Sequence, residues 1–403
     1  MAADYPDLIW RGEAVEMVRT RATNARATQS TVTRSLDRAT GHHLAAPIDA
    51  DCDLPNADIA TMDGYAIDTN DSFPLSVESV EIFPEDEPPA LTAGTAMEIA
   101  TGAPLPAGAN AVLKRELAEV ENGTLRGPSL EPGTYTYERG SNVAEGERLF
   151  ERGERLRAKD AIFLADLGYE EVEVSEPFSV AILATGTEIY EGEQTDLDSP
   201  MLTGLIRQWG HKPTYVGSVP DERGVVRDRI NELAGDYDVV LTTGGTSVGH
   251  KDHVISSLQE LGTIHFHRVR LRPGKPIAMA TIRDGTTAFA IPGKPVGAYT
   301  ISTLVMRSFF TTVSSLPTIE ATIATALGLG AEGFEYAIPV TVTDGVATPL
   351  GSDVSSLHIY EGTFDPSVLS SSTRATRADG FILRTEPIEA DEVVDVIPYS
   401  VVE

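Results

Sequence analysis

The sequence predicts a multidomain α/β plus β protein whose centre is a doubly wound α/β domain. Three observations carry that prediction. Over 178–316, strand-like runs alternate with helix-like stretches, as in a mostly parallel sheet flanked by helices. Within it, Leu241-Thr242-Thr243-Gly244-Gly245-Thr246-Ser247-Val248-Gly249-His250-Lys251-Asp252 reads as a buried strand, a loop of glycines and hydroxyls, and a helix start. On either side, 47–139 and the chain from Pro317 onward hold short apolar runs broken by proline and glycine, which is β-type patterning.

Taken in chain order, 11–45 is polar with helical spacing at Ala14, Val15, Met17 and Val18, and predicts an exposed helix or two. The segment 147–167 is helix-like and ends at Gly168, a C-cap residue. In the α/β region strands are predicted at 180–184, 214–219, 239–241, 263–269, 277–281 and 288–291, and helices at 201–209, 225–233, 253–261 and 296–311. Tyr336-Ala337-Ile338-Pro339-Val340-Thr341-Val342 and Glu392-Val393-Val394-Asp395-Val396-Ile397 predict a final small β domain.

Of 403 residues, 61 are acidic and 31 basic, a formal charge of −30 spread along the chain. Such a surface suits concentrated salt, where screening is severe, and predicts a halophilic host. It argues against nucleic-acid or anionic-membrane partners, which it would repel. Cys52 is the single cysteine and excludes an internal disulfide; it reads as a small, partly buried side chain. No apolar run approaches the ~20 residues that span a bilayer, and the first residues lack a basic, apolar leader, so a cytoplasmic location is expected.

The glycine loop after Leu241 lets backbone N–H groups approach an oxyanion, aided by the positive end of the following helix. It lacks both the ending of a P-loop and the spacing of a dinucleotide fingerprint. Four further motifs surround it: Met62-Asp63-Gly64-Tyr65-Ala66 with Ala100-Thr101-Gly102-Ala103-Pro104-Leu105-Pro106, Thr185-Gly186-Thr187-Glu188-Ile189, Arg270-Leu271-Arg272-Pro273-Gly274-Lys275-Pro276, and Ile291-Pro292-Gly293-Lys294-Pro295-Val296-Gly297. In this order they resemble the molybdenum-cofactor insertases: the molybdopterin molybdenumtransferases and the E domain of gephyrin. The resemblance covers the chain from about Arg11 to its end.

It implies a discontinuous helical arm (1–45 and 140–177), a β module (46–139), an α/β molybdopterin-binding domain (178–316) and a C-terminal β barrel (317–403), assembled as a homodimer. The implied reaction cleaves adenylylated molybdopterin, releases AMP and passes molybdenum from molybdate to the dithiolene. It needs Mg2+ and draws in a pterin adenylyltransferase and recipient molybdoenzymes as partners. By position, Asp63, Thr101, Glu188, Asp221 and Asp252 would be catalytic, and Glu188, Asp221 and Asp252 would hold the metal. Thr243, Gly244, Gly245, Thr246, Ser247, Gly249, Arg272, Lys275, Pro292, Lys294 and Pro295 would bind the pterin substrate and oxyanion.

Each acid also has an ordinary use: Asp63 in a turn, Asp252 as an N-cap, Glu188 and Asp221 as loop residues. Their convergence with the other motifs favours function. The chain has only six lysines, and three of them lie from Lys251 to Lys294. With Arg270 and Arg272 they would make a positive pocket in a negative shell.

Three motifs depart from the family. Its Pro-Gly-Asn-Pro-Val-Ser is Pro292-Gly293-Lys294-Pro295-Val296-Gly297 here, which loses a serine hydroxyl and puts lysine for an amide. Its Thr-Gly-Asp-Glu is Thr185-Gly186-Thr187-Glu188, and its Asp-Ser-Asn is Asp198-Ser199-Pro200. These leave a non-catalytic pterin binder or a tungstate-handling relative as alternatives. A nucleotide hydrolase built on the α/β region alone would leave Met62–Ala66 and Thr101–Pro106 unexplained.

Overall fold

The computed structural model describes residues 6–244, 253–283, 285–311 and 313–403. Gly245, Thr246, Ser247, Gly249 and Asp252 lie outside the described residues. The chain divides into two compact units, one of residues 44–154 with 159–170, the other of 1–43, 155–158 and 171–403.

The smaller unit is built on a six-stranded sheet ordered Ala111–Lys114, Gly64–Ile67, Thr95–Ile99, Leu75–Ile82, Thr124–Arg126, Glu119–Glu121. Side chains alternate along each strand, so Ala66, Met97, Ile99 and Val112 fill one face while Tyr65, Ile67, Ala96 and Leu113 fill the other. Both faces are buried, which is why Gly64–Ile67 reads as a continuous apolar run. At Gly64 a Cβ would overlap the carbonyl oxygen of Leu113 on the neighbouring strand, so only glycine fits. The helix-like reading of 147–167 narrows to Asp160–Asp166, because Arg148–Phe150 pairs as a strand with Ile48–Asp49. Gly168 follows that helix with φ +85°, as a C-cap glycine should. Cys52 is exposed rather than partly buried.

The larger unit holds a seven-stranded sheet ordered Asp7–Ile9, Gly262–Val269, Ala278–Ile282, Thr286–Ile291, Val239–Thr243, Ser179–Thr185, Lys212–Val219. Only Ala278–Ile282 runs against the rest. Helices cover both faces, as the alternation over 178–316 predicted. Val180 and Ile182 join one core with Leu202, Leu205 and Phe309; Ala181 and Leu183 join the other with Val226, Ile230 and Leu258.

All six predicted strands and four predicted helices of this region are present, with ends moved by a few residues. The strand at 239–241 extends to Thr243, because Thr242 and Thr243 continue the parallel ladder against Ala290 and Ile291. The helix over 296–311 starts at Pro295 and carries a π turn at Ser302–Met306, buried all round.

The first long helix, Arg11–Ala27, is exposed along Glu13, Glu16, Arg19, Thr20 and Thr23 but buries its other face. Ala14, Val18, Ala22 and Arg26 form a buried stripe one turn apart, and the helix packs on the 302–311 segment. Alanine gives such a stripe little hydropathy while letting the helix approach closely. Arg26 ends it by donating to the carbonyls of Phe309 and Phe310, each at 2.8 Å. After Leu316 the strands Glu335–Thr343, Val346–Pro349, Ile319–Ile323, Val393–Pro398 and Gly380–Arg384 close into a five-stranded barrel. The two-residue strand Leu271–Arg272 adds to it beside Glu335.

Candidate functional site

The sheet order of the larger unit fixes where a ligand can enter. From Ser179–Thr185 the chain crosses to Lys212–Val219 on one side, then back to Val239–Thr243 on the other. Crevices in open α/β sheets form outside the carboxyl ends of strands at such a reversal. Three glycine-bearing turns meet there. Gly244 has φ +80°, and a Cβ on it would sit 2.5 Å from the Thr185 carbonyl oxygen. A Cβ on Gly293 would sit 3.2 Å from Gly244 Cα. The turns therefore touch backbone to backbone, as the glycine motifs imply. Thr185 Oγ1 donates to the Thr243 carbonyl at 2.8 Å and ties the two strand ends together.

Two adjoining hollows open on this junction and share Glu188, Gly244 and Gly293. The first, about 370 Å³, is bordered by Thr185, Asp198, Asp221, Thr243 and Pro295. The second, about 450 Å³, is bordered by Arg272, Lys275, Pro292, Lys294, Ser367 and Ser370. One is carboxylate-rich and the other cationic. Glu188, Asp221, Thr243, Gly244, Arg272, Lys275, Pro292, Lys294 and Pro295 are thus brought together from five separate turns. Arg270 lines neither hollow: it donates to the Gly333 carbonyl at 3.1 Å and lies over the Trp10 ring.

In the cationic hollow, Arg272 stacks 3.9 Å from the Phe334 ring centre and Lys275 lies 5.8 Å from it. Burial, with Arg268 and Arg272 nearby, lowers the Lys275 ammonium below its ordinary range. Lys294 donates to the Ser367 carbonyl at 3.2 Å, which links the α/β domain to the barrel segment. The missing serine at Gly297 is not forced by packing, since a Cβ there would come no closer than 3.5 Å to any atom. Three cations around one cavity suit a multiply charged oxyanion.

In the acidic hollow, the other two departures have local reasons. Thr187 accepts the Asp221 N–H at 3.2 Å, so the hydroxyl that replaces an acid holds the next loop. Pro200 falls in the first turn of helix Asp198–Gln208, where its missing N–H costs nothing. That helix is capped by Asp196, whose Oδ1 accepts the N–H groups of Asp198 and Ser199. Asp198, which sequence placed only within the altered motif Asp198-Ser199-Pro200 and not among the site acids, opens that helix. It is 6% exposed, and burial, with Asp196 beside it, pushes its carboxyl up to about 7.

No group of three His, Cys, Asp or Glu side chains among the described residues could hold a metal ion. Yet Asp198 Oδ1, Asp221 Oδ1 and Thr243 Oγ1 are buried and have no hydrogen-bond partner among the described residues. Orphaned carboxylate and hydroxyl oxygens are the donor set of a hard cation. Glu188 folds its carboxylate back over Gly186.

Asp63 and Thr101 lie in the smaller unit. Asp63 Oδ1 accepts the Thr101 N–H at 2.7 Å and its hydroxyl at 2.8 Å. These two bonds hold the Asp63 carboxyl below its ordinary range.

Residues 11–168 match the family described as "MoeA N-terminal region (domain I and II)", and residues 181–312 match "Probable molybdopterin binding domain". The molybdopterin molybdenumtransferase of Synechococcus elongatus is 31% identical over 301 residues, covering 68% of this chain and 71% of that protein. That of Nostoc is 31% identical over 288 residues, covering 66% of each. The crystal structure of a molybdopterin biosynthesis moeA protein from Pyrococcus horikoshii superposes with a TM-score of 0.70 at 25% identity, over 97% of this chain and 99% of that one. No helix among the described residues is long and apolar enough to cross a membrane.

Proposed function

This chain belongs to the molybdopterin molybdenumtransferase family of transferases in molybdenum cofactor biosynthesis, and from that premise we propose that it inserts molybdenum from molybdate into adenylylated molybdopterin with release of AMP. The observation that supports this reading is the pair of adjoining hollows at the sheet reversal, one acidic and one cationic. A tetrahedral oxyanion asks for the cationic hollow, and a pyrophosphate asks for a cation that the acidic hollow could hold.

In this reading Thr243, Gly244, Gly245, Thr246, Ser247 and Gly249 bind the phosphates. Arg272, Lys275 and Lys294 hold molybdate, with Pro292 and Pro295 shaping the wall. Glu188 and Asp221 serve the acidic side, and catalytic roles are assigned also to Asp252, Asp63 and Thr101, with Glu188, Asp221 and Asp252 as the metal ligands. Cleavage adds water across the pyrophosphate's phosphorus–oxygen bond, leaving AMP and the pterin's own phosphate, and a magnesium ion held by the acidic side would supply charge neutralisation there. We assign the protein to the cytoplasm of a halophile, as a homodimer, which light scattering in molar salt would show as twice the chain mass.

Lys294 and Gly297 favour a second reading, a pterin-binding relative specialised for tungstate or without turnover. One experiment separates the two: purified protein in molar potassium chloride, given adenylylated molybdopterin, magnesium and either oxyanion, assayed for AMP. Release with molybdate supports the transferase, release with tungstate alone supports the specialised relative, and pterin binding without release supports the binder.

A further inference from the structure

We propose that Asp198, Asp221 and Thr243 form a divalent-cation site in the acidic hollow, with Asp198 as a ligand in place of Glu188. Asp198 is 6% exposed and Thr243 is 1% exposed, and both border the hollow with Asp221. Asp198 Oδ1, Asp221 Oδ1 and Thr243 Oγ1 all lack a hydrogen-bond partner among the described residues. A buried carboxylate oxygen without a partner is costly, and two such oxygens border this hollow. A divalent cation bound by both would satisfy the two oxygens.

The topology brings the three donors together from separate elements. Thr243 ends the strand Val239–Thr243, Asp221 follows the strand Lys212–Val219, and Asp198 opens the helix Asp198–Gln208. That helix does not need the Asp198 side chain for its cap, because Asp196 already accepts the Asp198 and Ser199 N–H groups. The Asp198 carboxylate is therefore available to a ligand. Two carboxylates and a hydroxyl are hard oxygen donors, and a site with only three leaves room for the waters that magnesium keeps. A pterin edge would present N–H donors to one carboxylate and leave the second charge uncompensated. Glu188 is less suited, since its carboxylate is turned back over Gly186.

The site deepens the transferase reading but is measured without pterin. Manganese is titrated into metal-free protein in molar potassium chloride, and the loss of the free-ion electron paramagnetic resonance signal is followed. One manganese per chain, displaced by magnesium, is expected. Asp198→Asn should weaken it by about tenfold or more, while Glu188→Gln should change it by less than about threefold. Thr243→Val should also weaken it, and Thr243→Ser should not; this pair carries the test if Asp198→Asn proves misfolded by near-ultraviolet circular dichroism. Wild-type manganese affinity in Asp198→Asn, loss in Glu188→Gln alone, or no manganese bound by the wild type would each overturn the site. Failure of AMP release with manganese binding intact would instead overturn the transferase reading and leave the site standing.

Discussion

Asp63 and Thr101, 38 residues apart in the chain, are joined by two hydrogen bonds to a single carboxylate oxygen, Asp63 Oδ1. One comes from the Thr101 backbone and one from its hydroxyl. Gly64, which can be nothing larger beside Leu113, sets Asp63 at the start of its strand. Thr101 follows the neighbouring strand Thr95–Ile99. Both side chains are exposed, so the pair has little to do for the core.

A functional pair of this kind should separate activity from stability. Asp63→Asn is expected to lower AMP release strongly while moving the melting temperature by less than about 2 °C, as for other exposed substitutions. Thr101→Val, which keeps one of the two bonds, should fall between wild type and Asp63→Asn in rate. Equal rates in all three would remove the pair from catalysis.

Gly244→Ala should weaken pterin binding with the fold retained. The new methyl group meets the Thr185 carbonyl oxygen, and φ +80° is a conformation alanine rarely adopts. The strain, about 1 to 3 kcal/mol, falls on the junction of the two strand ends. Fluorescence titration with the pterin checks it, and wild-type affinity would show the turn to be plastic.

The buried imidazole of His211 predicts acid sensitivity. Its Nδ1 accepts the Phe178 N–H and its Nε2 faces the Phe310 carbonyl, each at 3.0 Å. Burial, with Arg26 and Arg155 near, pushes it down to about 3, and His43 shifts the same way. Because the unfolded chain takes up the proton first, stability is full above about pH 6.5 and is lost as the pH falls below it. From pH 6.5 to 5.0 the His211 share of the loss is about 2 kcal/mol. Denaturant melts of wild type and His211→Asn across that range should differ in slope, and parallel slopes would contradict the assignment.

The formal charge of −30 predicts stabilisation by salt. The melting temperature should rise between roughly 0.1 and 3 M potassium chloride, as the Debye length falls from about 10 Å to below 3 Å. A melting temperature indifferent to salt would remove the halophilic reading.

The α/β region was legible because strands such as Ser179–Thr185, Val239–Thr243 and Thr286–Ile291 are short apolar runs followed directly by glycine or proline. Arg272, Lys275 and Lys294 stood out because lysine is otherwise scarce here. Two things were not legible. The stripe Ala14, Val18, Ala22 is made of small residues ending in a buried arginine, so the buried face of its helix did not show. Asp198 stood only within the altered motif Asp198-Ser199-Pro200, and nothing in the sequence marks a carboxylate that the cap at Asp196 leaves without a partner.

The most direct test of the account is AMP release from adenylylated molybdopterin by purified protein in molar potassium chloride. The account predicts release that needs both magnesium and molybdate and that is lost in Asp221→Asn and Lys275→Ala. Release that continues without either ion, or unchanged rates in both variants, would contradict it.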